Sequence, residues 1–200
     1  MRHHAGNLAL SRCKLMLSAG LLFLFVLVCW VLAKTTRLFP GPSGLDFFGT
    51  RARLPSALRV ALDAETALAE PLAAVALTIC FAGFAARQEG ARMCIAALIA
   101  PLVVLLTSAA KDSVGPPTAL PSGHAAYAIA VFGMGSWLCA RAGSKVGAAV
   151  LALIGVAMAP ARAIQGAHYA IDVIAGAALG LAWLIPLILF GTRQLPEERA

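Results

Sequence analysis

Two short polar clusters interrupt long apolar runs: Pro121-Ser122-Gly123-His124, and Arg162 with His168 and Asp172. Ionisable groups at a membrane boundary are costly to place and mark a functional site by default. His168 and Asp172 stand at i and i+4, so on a helix they share a face. A carboxylate there can hold one imidazole nitrogen and leave the other free as base or nucleophile. Arg162 lies six residues before His168, off that face on a continuous helix, and Gly166 offers a break that would put Arg162 on the preceding loop or helix end. A guanidinium is suited to bidentate recognition of phosphate oxygens.

In the first cluster, Ser122 is a good N-cap for the apolar run that follows. Gly123 lets a ligand approach the backbone closely, and the free amides of a helix start form an anion site. His124, beside them, could protonate a leaving oxygen. Lys111, ten residues before Pro121, adds a point charge that its neighbour Asp112 would offset in the plainer reading of that pair. A nucleophile, an acid and several anion binders make up the set that phosphoryl transfer needs.

Other chemistries fit less well. A lone His in an apolar run is more often structural, but here two His, an Asp, an Arg and a Lys converge on one membrane side. A metal held by His124, His168 and Asp172 would be opposed by Arg162 and Lys111, so no metal and no cofactor is expected. A serine hydrolase built on Ser122 lacks the G-x-S-x-G elbow.

The elements that must position these groups follow from composition. The 200 residues are 60% hydrophobic and 12% charged, with mean hydropathy +0.86; a soluble domain is about half apolar and about a quarter charged. The expectation is an integral membrane protein, all-α, with residues 1–200 forming a single membrane domain. Net charge is +7, but the basic residues are scattered. A nucleic-acid footprint would gather them on one face, so they are read as topology signals and contacts to anionic lipids of the membrane, not as a nucleic-acid surface. Five cysteines show no paired spacing, which argues for neither a disulfide framework nor a zinc site.

Six apolar runs can be counted: Leu15–Ala33, Pro71–Ala86, Met93–Ala110, Ala125–Ala140, Val146–Ala161 and Val173–Phe190. A spanning helix takes about 20 residues; the first, third and sixth qualify directly and the others by extension through their flanks. The expected architecture is a bundle of six transmembrane helices. The first run exceeds the length of a signal h-region, although Val31-Leu32-Ala33 resembles a cleavage site, so it is read as a retained anchor. Between Lys34 and Glu70 a Pro- and Gly-rich loop precedes Ser56, after which Arg59, Asp63, Thr66 and Glu70 recur on one helical face. That stretch is either an amphipathic helix lying in the interface or a polar stripe where the second span begins. Span parity puts both polar clusters on one face, and nine basic residues against seven make it the outer one. Gly143-x-x-x-Gly147 and Gly176-x-x-x-Gly180 permit close helix approach, read as packing within the bundle rather than dimerisation; nothing else in the sequence bears on oligomeric state.

Lys111, the Pro-Ser-Gly-His run at 121–124, and Arg162-x5-His168-x3-Asp172 resemble the three signatures of the type 2 phosphatidic acid phosphatase superfamily. The resemblance implies that His168 attacks phosphorus and forms a phosphohistidine, Asp172 orients it, and His124 protonates the leaving group. It further implies that Lys111, Ser122, the Gly123 amide and Arg162 bind the phosphoryl oxygens, with no metal. The chain also departs from the family pattern. The first signature ordinarily ends Arg-Pro, where Thr118 and Ala119 stand here, and only Leu120 separates it from the second; Ala161 replaces the Ser before Arg162. Losing a charge-assisted contact of this kind costs on the order of 2–4 kcal/mol in a catalytic site, unless Arg51 or Arg53 of the first outer loop substitutes. The implied function is a membrane-embedded phosphatase of a lipid phosphate or diphosphate, whether polyprenyl diphosphate, a phosphatidate-like lipid or lipid A. The alternatives are a non-catalytic lipid-phosphate binder on the same fold and a lipid phosphotransferase.

Overall fold

The computed structural model describes residues 2–36, 55–114, 120–165 and 168–192. Among them every regular element is a helix. Helix α1 covers Arg2–Thr36, α2 Ser56–Ala67, α3 Pro71–Gln88 and α4 Ala91–Ile99. A 3-10 turn at Ala100–Leu102 joins α4 to α5, Val103–Val114. Helices α6, α7 and α8 cover Gly123–Arg141, Lys145–Ile164 and Ala170–Gly191. Each apolar run of the sequence falls in one of these rods, the third being α4 and α5 together.

Five of the rods are long and apolar enough to cross a membrane: Ser11–Leu32, Pro71–Gln88, Ala91–Ser113, Lys145–Ile164 and Ala170–Gly191. Helix α6 is not among them. Its small and polar residues lower its hydropathy, and its burial explains why. It packs against α7, α8, α5 and α3, and Tyr127, Val131, Phe132, Met134 and Leu138 are all enclosed. A helix surrounded by helices can be less oily than one facing lipid. The outside of the bundle is the reverse: Leu72 is 85% exposed, Val146 78% and Leu153 69%. Apolar surface on that scale needs a hydrocarbon solvent.

The chain around Ser56 resolves into a separate amphipathic helix, not a prelude to the second span. Pro71 is the cause. Proline disfavours helical backbone at the residue before it, and Glu70 is extended, at φ −65° and ψ 148°. Helix α2 ends at Ala67, α3 starts afresh, and α2 lies against α7. Pro101 in turn coincides with the 3-10 interruption of the third rod. The first rod belongs to the bundle: Val26 packs against Val103, Ala178 and Leu179, and Trp30 Nε1 donates to Ala110 O at 3.2 Å and Ser113 Oγ at 3.1 Å.

The two glycine pairs behave differently. Gly143 sits in the α6–α7 turn at φ +82°, a conformation glycine adopts without strain, while Gly147 lies inside α7, where a Cβ would come within 2.8 Å of Ser144 Oγ and 3.3 Å of Cys139 Sγ. Gly176 and Gly180 are contact points. A Cβ at Gly176 would lie 2.3 Å from Ser122 O, and one at Gly180 2.6 Å from Ala126 O. Their missing side chains let α8 rest directly on the first turns of α6.

Candidate active site

That contact joins the two polar clusters. Ser122 N donates to Asp172 O at 2.9 Å, one turn before Gly176. The Asp172 side chain, 1% exposed, turns back to its own helix start, where Oδ2 accepts from Tyr169 N at 3.0 Å. The same oxygen lies 3.4 Å from His168 Nδ1. Asp172 therefore holds the second cluster with its carboxylate and the first with its carbonyl. With Nδ1 engaged, His168 keeps Nε2 without a hydrogen-bond partner among the described residues.

The start of α6 can be accounted for donor by donor. An α-helix leaves its first N–H groups without internal acceptors. Ser122 N goes to Asp172 O, and Ala125 N goes to Ser122 Oγ at 3.4 Å, the expected N-cap. The amides of Gly123 and His124 are left over. Among the described residues these two amides have no acceptor, and free amides at a helix start can receive an anion. The Ser122 hydroxyl is itself wholly buried and occupied as acceptor, so what it has left to offer a ligand is its proton.

Two further helices bring the cations. Thr107 of α5 is buried against the same helix start, where a Cβ at Gly123 would come within 3.0 Å of Thr107 Oγ1. Lys111 is one turn beyond Thr107, on the same face of α5. Arg162 is in the last turn of α7, the helix end expected from the sequence. Its Nη1 donates to Gln165 Oε1 at 2.8 Å. Lys111 lies within electrostatic reach of Asp172 and Arg162, and His124 within reach of Arg162, His168 and Lys111. The seven candidate residues, Lys111, Ser122, Gly123, His124, Arg162, His168 and Asp172, thus share one end of the bundle. Thr118, Arg51 and Arg53, which bear on the missing phosphate-binding Arg, lie outside the described residues.

Two participants are not apparent from the motifs. The sequence signal for Thr107 is only a hydroxyl inside an apolar run. Gln165 has only its i, i+3 spacing from Arg162, and its partners in α2 are about a hundred residues away in sequence, Gln165 Nε2 donating to Leu62 O at 3.1 Å. Two apolar grooves have sequence neighbours of site residues in their walls, although none of the seven candidate residues lines either one. One of about 330 Å³ runs along α1, α5 and α8, with Trp30, Leu106, Ser113 and Leu179 in its walls, and ends at Pro121. The other, about 730 Å³, lies between α2 and α7, and Ala161 and Ile164 line it on either side of Arg162.

An all-helical membrane bundle carrying a His–Asp pair, a helix start with two free amides and two cations at one end is the class that fold and site define. Residues 71–195 match the model of the PAP2 superfamily, and the chain belongs to that superfamily. The membership supports lipid phosphatase chemistry at the level of the family. In fold, the chain is similar to a transmembrane PAP2 type phosphatidylglycerolphosphate phosphatase from Bacillus subtilis. The TM-score is 0.66 at 19% identity, over 86% of this chain and 95% of the other. No curated protein matches the sequence.

Proposed function

We propose that the protein is a membrane-embedded lipid phosphatase working through a phosphohistidine. The observation that carries the reading is Asp172, one buried residue that orients the imidazole and also fixes the anion-binding helix start. His168 Nε2 attacks phosphorus, and a P–N bond forms as the P–O bond to the leaving group breaks. His124 gives that leaving oxygen its proton. Water then attacks the phosphohistidine, returning a proton to His124 and releasing phosphate. Lys111, Arg162, the Gly123 and His124 amides and the Ser122 hydroxyl hold the oxygens whose charge grows in the transition state. The mechanism uses no metal, so turnover is expected to continue in EDTA. The apolar walls beside Ser122 and Arg162 in the chain, Pro121 in one groove and Ala161 in the other, favour a phosphate carried on a lipid over a free one.

The test is phosphate release by purified protein across lipid monophosphates and diphosphates, with His168→Ala alongside. Phosphatidylglycerophosphate belongs in the panel because of the structural neighbour. No turnover above the variant on any lipid would overturn the reading.

The division of labour also predicts a pH profile. His168 must be neutral to attack and His124 protonated to donate, so kcat/KM rises with pH as the first loses its proton and falls as the second does. A monotonic profile would sink this assignment.

Thr118 motivates the second reading, a lipid-phosphate binder without turnover. Thr118→Arg restores the family's cation. In a weakened enzyme it raises turnover by about thirtyfold or more, the rate equivalent of one recovered charge-assisted contact. In a binder it changes affinity alone.

A further inference from the structure

The Arg162 side chain is long, and its usefulness depends on where the guanidinium waits. Arg162 and Gln165 are i, i+3 neighbours at the end of α7. The Gln165 amide is used at both ends. Its Oε1 accepts from Arg162 Nη1 at 2.8 Å, while its Nε2 donates to Leu62 O at 3.1 Å and reaches Asp63 Oδ1 at 3.5 Å. These three contacts favour this orientation, because the flipped amide would set N–H against N–H and oxygen against two oxygens. Leu62 is 7% exposed and anchors α2 beside α7. Gln165 is thus the strut between a guanidinium and a helix of a different segment.

We propose that Gln165 is a positioning residue that holds Arg162 ready for a phosphoryl group by bracing it against α2. The inference rests on the reading of Arg162 as a phosphoryl-oxygen binder. A flexible side chain loses rotamer freedom when it engages a ligand, and a side chain fixed beforehand loses less. The brace also makes α2 part of the site: whatever lifts that helix from α7 releases the guanidinium.

The experiment is a double-mutant cycle on binding of inorganic phosphate to the full chain in detergent, read by calorimetry, with lipid-phosphate turnover followed in parallel. Gln165→Met keeps the side chain's length and removes its amide. It is expected to weaken phosphate binding about tenfold, the scale of one hydrogen bond to a charged group. In an Arg162→Ala background the same change should have no further effect, since its partner is gone. Leu62→Ser, which removes the buried anchor of α2, should follow the same pattern. Equal weakening in both backgrounds would reduce Gln165 to a general structural role and overturn the proposal, as would no weakening in either. Coupling seen without turnover would count against the phosphatase and leave the brace standing. Turnover that requires His168, without coupling, would do the opposite.

Discussion

Alanine at His168 is expected to lower phosphate release by a factor on the order of 10⁴ or more, the scale on which loss of a nucleophile acts. No neighbour can take its place. Asp172 is enclosed and already accepts two donors on one oxygen, and His124 belongs to a different helix with the leaving group to serve. Asp172→Asn is the sharper companion. It preserves shape and leaves the carbonyl that holds Ser122 N untouched, so the bundle should fold normally. It removes the negative charge beside an imidazole that, in the proposed mechanism, becomes cationic as the P–N bond forms. A fall in kcat of about 10²–10⁴, with little change in KM, is expected by analogy with other carboxylate-oriented imidazoles. Both variants are checked by single-turnover release from the best lipid, with thermal melts to show intact folding. Activity within about tenfold of wild type in His168→Ala would remove the phosphohistidine from the mechanism.

Helix positions are legible in the sequence because lipid imposes them. The apolar runs have to close their backbone hydrogen bonds internally, and each lies in a helical rod. Ser122 at its N-cap and Arg162 at a helix end are local features, and local spacing reveals them; the His168–Asp172 pair does meet, but His168 stands before α8, ahead of the Tyr169 N-cap, so the contact crosses the helix start instead of running along a shared helix face. What the sequence leaves open are relations between distant segments. Pattern alone leaves α2 poised between an interfacial helix and the head of the second span; Pro71 separates it from that span. The two G-x-x-x-G pairs look alike on paper, yet the first has one member in a turn at positive φ while both members of the second stand at a helix crossing, a difference set by φ and by neighbours on another helix. Gln165 is invisible as a strut because its acceptors are in α2. The lower hydropathy of α6 has meaning only once its central place is known. The site is assembled by such crossings, from α5, α6, α7 and the start of α8, so motif spacing shows its membership and packing shows its geometry.

The crossing of α6 and α8 is where fold and chemistry depend on the same atoms, and Gly176→Ala should damage both. The added Cβ would stand 2.3 Å from Ser122 O and 3.1 Å from the Ala125 side chain. A backbone oxygen cannot rotate away as a side chain can, so one helix must shift by roughly 1 Å to restore ordinary contact. The first casualty is the hydrogen bond between Ser122 N and Asp172 O, 2.9 Å long and fully enclosed. Overpacking of this kind costs about 1–3 kcal/mol, and an enclosed N–H left unsatisfied adds about 1–3 kcal/mol more. Misplacement of a catalytic group by about 1 Å can cost a hundredfold in rate, so turnover should fall by about that factor even in the folded fraction. Gly83→Ala is the control. Gly83 lies inside α3, and a Cβ there would meet nothing within 4 Å. Alanine at that position should leave activity unchanged and hold or raise stability by about 0.5–1 kcal/mol through helix propensity. If Gly176→Ala melts and turns over like wild type while Gly83→Ala does the same, α8 does not rest on Ser122 as described, and the joint that brings His168 to the start of α6 lies elsewhere.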